Sequence, residues 1–294
     1  MRANCPYCTL GPGMSEVRFH VVRDGFFRRM SESKFIQRFK CMRCLKHFSA
    51  ATGDPCFGQK KRRLNIKIAK DLWSTVSIRR TARNLGVSRT TVTRKFIFMG
   101  YRCLKELEWQ RLHYQKATRV QFDELETFEH TKLKPLSVPL AVTHPERRIL
   151  AFEVARMPAK GKLSQLSLKK YGKRIDERSK AMNSLFLSLK GAVDENALFE
   201  SDENPHYPKF VRRHFPNASH NRFKGQRGSI VGQGELKKVR FDPLFQLNHT
   251  CAMLRANINR LVRKTWCTTK CPEKLRLHLA IYAHFHNNYL IDSC

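Results

Sequence analysis

Val120-Gln121-Phe122-Asp123-Glu124-Leu125-Glu126-Thr127-Phe128-Glu129 starts as an apolar-polar alternation and then places four acids in seven residues, Asp123 to Glu129. A period of two is the mark of a strand with one face covered. The acids stand out because the chain carries 57 Lys and Arg against 24 Asp and Glu, a formal charge of +33 over 294 residues. Strand-like runs follow at 136–142 and 149–154, then a basic, partly helical stretch at about 163–190. Residues 197–202 read as another strand that ends in an acid, Asp202, and Asn204-Pro205-His206-Tyr207-Pro208 breaks it. From Pro243 to about Thr265 the spacing predicts one long helix with Phe245, Met253, Leu254, Ile258 and Leu261 as its apolar set. Three strands, a helical stretch, a strand and a helix predict an α/β unit. Acids at two strand ends point to carboxylates converging on a hard divalent cation such as Mg²⁺, which binds one or two carboxylates plus phosphate oxygens. The same residues read equally well as surface acids at strand ends.

Outward from this core, the N-terminal block carries Cys5-Pro6-Tyr7-Cys8 and Cys41-Met42-Arg43-Cys44. Two C-x-x-C knuckles supply four thiolates, the set a tetrahedral zinc site takes. Between them Asp24-Gly25 is a hairpin-turn signal, and 35–40 is a strand-like run leading into the second knuckle. So small a block needs a metal staple. Cys56 and Cys103 have no partner at ligand spacing. The run Lys60-Lys61-Arg62-Arg63 reads as a linker, so the ribbon is assigned to 1–59.

Next, 64–73 puts Leu64, Ile68 and Leu72 on one helical face, and Ile78, Ala82 and Leu85 form a second stripe. Gly86 suits the turn that follows, because it adopts positive φ without cost, and Ser88 is a natural N-cap. Val92 and Phe96 then face inward, leaving Arg89, Thr90, Thr91, Thr93 and Arg94 outward. Arginines and short hydroxyls read base edges and grip phosphates. This segment resembles a helix-turn-helix, assigned to 60–117, with 118–294 as the third domain.

Charge supports a nucleic-acid partner. Residues 1–59 carry +6, 60–119 carry +14 and 120–294 carry +13, while 41% hydrophobic residues suffice for a core. A basic chain with a core fits a polyanionic partner. No run of about 18 apolar residues exists, so no bilayer span and no membrane partner are expected. The N-terminus has no apolar targeting segment. The expected location is cytoplasmic and nucleoid-associated, a reducing setting in which ten cysteines are thiols or metal ligands.

The whole chain resembles the insertion-sequence transposases that join a zinc ribbon and helix-turn-helix to an RNase-H-like catalytic domain. The resemblance is carried by Cys5, Cys8, Cys41 and Cys44, by Phe122-Asp123-Glu124-Leu125-Glu126-Thr127-Phe128, by Ser201-Asp202-Glu203-Asn204-Pro205-His206-Tyr207, and by the segment from Leu247 to Trp266. It implies a mixed-sheet, RNase-H-like third domain. It implies Asp123 and Asp202 as catalytic residues and ligands of Mg²⁺ or Mn²⁺, and a third position on the C-terminal helix, usually glutamate and in some branches asparagine. Asn248 occupies that position, with Arg255 seven residues on as a DNA-binding residue. His249, Glu235 and Asp242 are the alternatives for the third ligand. The implied activity is DNA transposition: metal-dependent phosphodiester hydrolysis at an element's end, then attack of the freed 3′-hydroxyl on target DNA. The implied partners are double-stranded element ends and target, bound by a homo-oligomer. A transposase-derived regulator with an idle catalytic fold is the alternative.

Overall fold

The computed structural model describes residues 4–8, 21–30, 33–224, 242–262, 266 and 268–291. The chain divides into two compact units, Met1–Lys67 and Ile68–Cys294.

In the first unit β1 (Val21–Arg29), β2 (Lys34–Cys41) and β3 (His47–Ser49) form an antiparallel sheet in that order. The hairpin turn expected at Asp24-Gly25 is not there. The β1 strand runs through it, and its register with β2 slips between Arg23 and Phe26. Gly25 holds φ +66°, so the positive φ that suggested a turn serves a bulge, which absorbs one extra residue within a continuing ladder.

The second unit takes in most of α1 (Leu64–Leu72), then α2 (Ile78–Asn84) and α3 (Arg89–His113). Their local signals act as the sequence suggests. The Ser77 side chain accepts from Arg80 N–H at 3.3 Å and Ser88 from Thr91 N–H at 3.1 Å, each capping its helix. Gly86 sits between the helices with φ +59°.

A mixed sheet follows. β4 (Ala117–Phe128), β5 (Pro135–Thr143) and β6 (Ile149–Phe152) make an antiparallel meander, and β7 (Ala155–Arg156) also pairs with β5. After α4 (Leu163–Tyr171) and α5 (Arg178–Leu189), β8 (Val193–Asp202) returns parallel to β4 on its other side. Past α6 (Tyr207–His214), β9 (Ser219–Phe223) adds a second parallel strand, giving the order β6-β5-β4-β8-β9. The fold class is therefore α/β, a small antiparallel sheet with clustered cysteines followed by a six-stranded mixed sheet with helices. One face of the large sheet packs Val120, Phe122 and Phe199 against Phe186, Tyr207, Phe210 and Phe215 of α5, α6 and the turn after it. Phe122 meets Phe186 edge-on at 5.1 Å.

Helix α7 spans Phe245–Asn257, shorter than the run to Thr265 expected. The backbone N–H of Thr75 takes the carbonyl of Asn257 at 3.0 Å, and Ile258 turns extended before a short 3-10 turn over Asn259–Leu261. Leaving the helix buries Ile258 and Leu261, the last two members of its apolar set. Residues 263–265 lie outside the described residues.

The last helix, α8 (Pro272–Phe285), packs along α3. His278, fully buried, donates from Nε2 to the Leu72 carbonyl at 2.8 Å, and burial pushes its imidazole down to about 3, so it is neutral. Helices α2 and α3 and the mixed sheet thus belong to one compact unit. Gly100 marks the closest approach, since a Cβ there would stand 2.6 Å from Leu277 Cβ. Gly100→Ala gains up to about 1 kcal/mol of helix propensity, but overpacking costs about 1–3 kcal/mol. A net fall in melting temperature is expected by calorimetry, and an unchanged or higher one would refute this packing.

Candidate active site and metal centre

The four N-terminal cysteines converge. Cys5 Sγ lies 3.7 Å from Cys44 Sγ and Cys8 Sγ 3.8 Å from Cys41 Sγ, all four within 4.8 Å of one another. A tetrahedron with Zn–S bonds of about 2.3 Å has S···S edges of about 3.8 Å, so the donor set and its spacing fit zinc. The backbone N–H groups of Cys44 and Arg43 hold the Cys41 thiol down to about 7, whereas burial and its thiol neighbours push Cys8 up to about 12. Four thiolates cannot share this space without a cation between them. Cys5, Cys41 and Phe48 are the buried members of the cluster, with Cys8, Val21, Phe39 and Cys44 packed against it.

The second site is built by register. Strands β4 and β8 pair in parallel with Gln121 opposite Glu200. The paired register ends there, and two residues on Asp123 and Asp202 share the face of Gln121 and Glu200, close enough for the charge of Asp202 to act on Asp123. Burial, then the charge of Asp202, raises the Asp123 carboxyl to about 6. Asp123 Oδ1 accepts from Glu124 N–H at 2.7 Å and from the Tyr207 hydroxyl at 2.8 Å. Both bonds fall on Oδ1, which leaves Oδ2 to a ligand. Asp202 Oδ1 accepts from Asn204 N–H at 3.0 Å, closing the turn that ends β8. The other acids of the cluster turn elsewhere. Glu126 pairs with Lys160 at 2.6 Å, and Glu129 with Arg174 at 3.7 Å.

On the same face, one step toward the N-terminus of each strand, lies a buried polar ladder. Arg119 donates twice to Glu200, at 2.7 and 3.0 Å. Gln121 Nε2 donates to Glu200 at 3.0 Å and to the Pro243 carbonyl at 2.7 Å, while its Oε1 accepts from Leu247 N–H at 3.1 Å. Glu200 and Gln121 are fully buried. The Gln121 amide therefore pins the first turn of α7 over the sheet next to Asp123.

No protein-family model matches this chain, and no curated protein matches it.

Asn248 is exposed on α7, where its Nδ2 donates to Asp242 Oδ2 at 2.9 Å. Asp242 Oδ1 meanwhile accepts from Leu244 N–H at 3.0 Å, so Asp242 and Asn248 bond to each other at the helix start. His249 lies against Arg147, whose Nη1 donates to its Nδ1 at 2.6 Å. Glu235 lies outside the described residues. One turn past Asn248, Cys251 is half-buried, and desolvation and then the charge of Asp123 push its thiol up to about 12. Arg255 is exposed one further turn along. Among the described residues, the cysteine quartet is the one group of three or more acidic, histidine or cysteine side chains that converges for a metal. The acid pair remains two carboxylates.

At the start of α3, Arg89, Thr90 and Arg94 are exposed and Thr91 and Thr93 half-buried, while Val92 and Phe96 are fully buried. Arg79, Arg80 and Arg83 of α2 add further exposed cations. Among the described residues no helix is long and apolar enough to cross a membrane.

Sequence reasoning missed Gln121, Glu200, Arg119 and Tyr207. The signal for Gln121 was present, as a polar residue two before Asp123 must share its face. Its partners Pro243, just before α7, and Leu247, in its first turn, lie more than 120 positions away and leave no local trace.

Proposed function

We propose that this chain is a DNA transposase that binds element ends and carries out metal-dependent phosphodiester hydrolysis and strand transfer. The observation that carries the reading is that Asp123 and Asp202 lie two residues beyond the paired Gln121 and Glu200 on adjacent parallel strands, with the Asp123 carboxyl raised to about 6 by burial and then by the charge of Asp202. Two half-buried carboxylates side by side favour a shared divalent cation, Mg²⁺ or Mn²⁺, over mutual repulsion. A cation held by Asp123 and Asp202 would supply activation of the attacking oxygen, and stabilisation of the leaving oxygen would need the second ion of a two-metal arrangement. Tyr207 and the Glu124 amide orient Asp123, and Gln121 holds α7 against it. The mixed sheet, an antiparallel meander continued by two parallel strands, agrees with the RNase-H-like domain that the resemblance implies. Zn²⁺ at Cys5, Cys8, Cys41 and Cys44 is structural. Double-stranded DNA is the partner, a homo-oligomer on DNA handles two ends, and the nucleoid is the place of action.

A second reading is a transposase-derived DNA-binding regulator without chemistry. It is favoured by Asn248, which is exposed and bonded to Asp242 rather than to either aspartate. A cleavage assay on end-containing DNA with Mg²⁺ or Mn²⁺ separates the two: cut and joined products support the enzyme, and binding without cutting supports the regulator.

DNA readout is assigned to the start of α3. Arg89→Ala or Arg94→Ala should each cost about 1–3 kcal/mol of sequence-specific binding if the side chain holds a base edge bidentately. If it holds phosphate, the loss is uniform across sequences and the salt slope falls by about one. Titration of each variant at several salt concentrations decides, and unchanged binding in both removes this helix from the interface.

A further inference from the structure

The first-unit hairpin carries a face whose chemistry the cysteine cluster does not use. Residues paired across β1 and β2 share a face, and alternate residues share it along each strand. At the base of this face, Val21, Phe39 and Cys41 pack into the cysteine cluster. Beyond the bulge, the same face of β2 continues through Gln37 to Phe35, and that of β1 through Phe26 to Arg28. There it is uncovered: Phe26 is 64% exposed and Phe35 71%. Phe26 and Phe35 are diagonal neighbours across the pair, residues that stand about 7–8 Å apart in an antiparallel ladder, with Arg28 directly opposite Phe35. The strands bear six cations, Arg23, Arg28, Arg29, Lys34, Arg38 and Lys40, against one acid, Asp24. Asp24 is already held by Arg38 at 2.9 Å and His47 at 2.8 Å.

Exposed aromatic rings on so cationic a ribbon do not suit an apolar protein partner, which would have to desolvate the charges. They suit a polyanion that also offers flat apolar faces. We infer that the β1–β2 hairpin is a base-stacking platform, on which Phe26 and Phe35 stack unpaired bases of a DNA strand while the surrounding cations hold its phosphates. Stacking on aromatic side chains tolerates any sequence and requires bases freed from the duplex. The hairpin therefore favours single-stranded or locally opened DNA, unlike the duplex readout assigned to α3. The inference rests on the DNA-binding part of the proposed function and is independent of its chemistry.

The test uses the full chain loaded with zinc, without Mg²⁺ or Mn²⁺, and two fluorescein-labelled probes: a 12-nucleotide oligothymidine and a 12-base-pair duplex. Fluorescence anisotropy reads binding. Phe26→Ala and Phe35→Ala should each weaken oligothymidine binding on the order of 10-fold, with little change on the duplex. The salt slope should stay at the parent's value because no cation is lost, whereas Arg28→Ala should lower it by about 0.7. Phe57→Ala, an exposed aromatic outside the hairpin, should bind as the parent does. Zinc content equal to the parent's confirms that each variant keeps its ribbon. In a Phe26→Trp protein, added oligothymidine should quench emission beyond the parent's response. Oligothymidine binding at parental affinity by the double variant Phe26→Ala, Phe35→Ala would overturn the inference. So would equal losses on both probes, or a dimeric parent and monomeric double variant with unchanged DNA binding, which would make this face a self-interface. If no cation supports cleavage but these binding differences appear, the transposase reading fails and the platform stands.

Discussion

Asp123→Ala and Asp202→Ala proteins are expected to bind end-containing DNA at close to parental affinity and to cut none of it. On the proposed reading, affinity comes from cations in the ribbon and on α2 and α3, whereas the two carboxylates would repel DNA unless a cation lay between them. Removing one should tighten cation-free binding slightly. Cleavage products from both variants at the parental rate would end the enzyme reading in favour of the regulator. Asn248 should behave more mildly, with Asn248→Ala lowering the rate and Asn248→Asp retaining some activity or shifting the preference between Mg²⁺ and Mn²⁺. The Asp123 carboxyl, raised to about 6, also sets a pH dependence. Cation binding needs the carboxylate, so activity should fall as pH drops through about 6. Stability runs the other way. The folded chain holds this proton more tightly than the unfolded one, so between about pH 4 and 6 rising pH lowers stability, by at most about 3 kcal/mol for two pKa units. Asp123→Asn, which removes the charge and keeps the shape, should therefore raise the melting temperature at pH 7 while abolishing cleavage. A lower melting temperature would mean that the carboxylate's bonds to Tyr207 and Glu124 outweigh its burial.

The second large effect is expected from the cysteines. Cys41→Ser should remove the metal and with it the fold of the Met1–Lys67 unit. Apart from the sulfurs, the cluster buries little beyond Phe48, too few apolar contacts for a block this small to fold alone. Binding of the metal and folding are then one event. Elemental analysis should find about one zinc per parental chain and none in the variant, and limited proteolysis should cut the variant first within residues 1–67. Full zinc content in Cys41→Ser would remove this site.

What could be read in advance was local. The knuckle spacing of Cys5, Cys8, Cys41 and Cys44, the Ser88 cap and the glycine at 86 all act within a few residues, and the structure uses them as their chemistry suggests. Asp24-Gly25 shows the limit of such reading: a glycine signal gives the dihedral but not whether the partner strand ends there or continues. The end of α7 was also hidden, because it depends on the Thr75 amide, 182 positions from Asn257. The candidate site is still less local. Asp123 meets Asp202 only through the register of β4 and β8, and a one-residue slip would turn one of them to the opposite face. Of the four acids in the cluster, sequence alone cannot say which one faces a partner, and pairing with Lys160 and Arg174 takes two of them out of play.

Helix α3 runs unbroken for 25 residues, about 37 Å at 1.5 Å per residue. It starts at the exposed Arg89 and ends three residues before the strand that carries Asp123. Clamped along α8, it works as a ruler. On the proposed reading, α3 and the β4 strand that follows it set the separation and the angular phase between bases read at Arg89 and the Asp123–Asp202 pair, with no hinge between them. The distance from a recognised base pair to the cut should then be fixed to the nucleotide. One alanine inserted in the exposed part of α3 would shift that distance by about 1.5 Å and rotate the reading head by about 100°, enough to uncouple recognition from cleavage with both ends of the molecule intact.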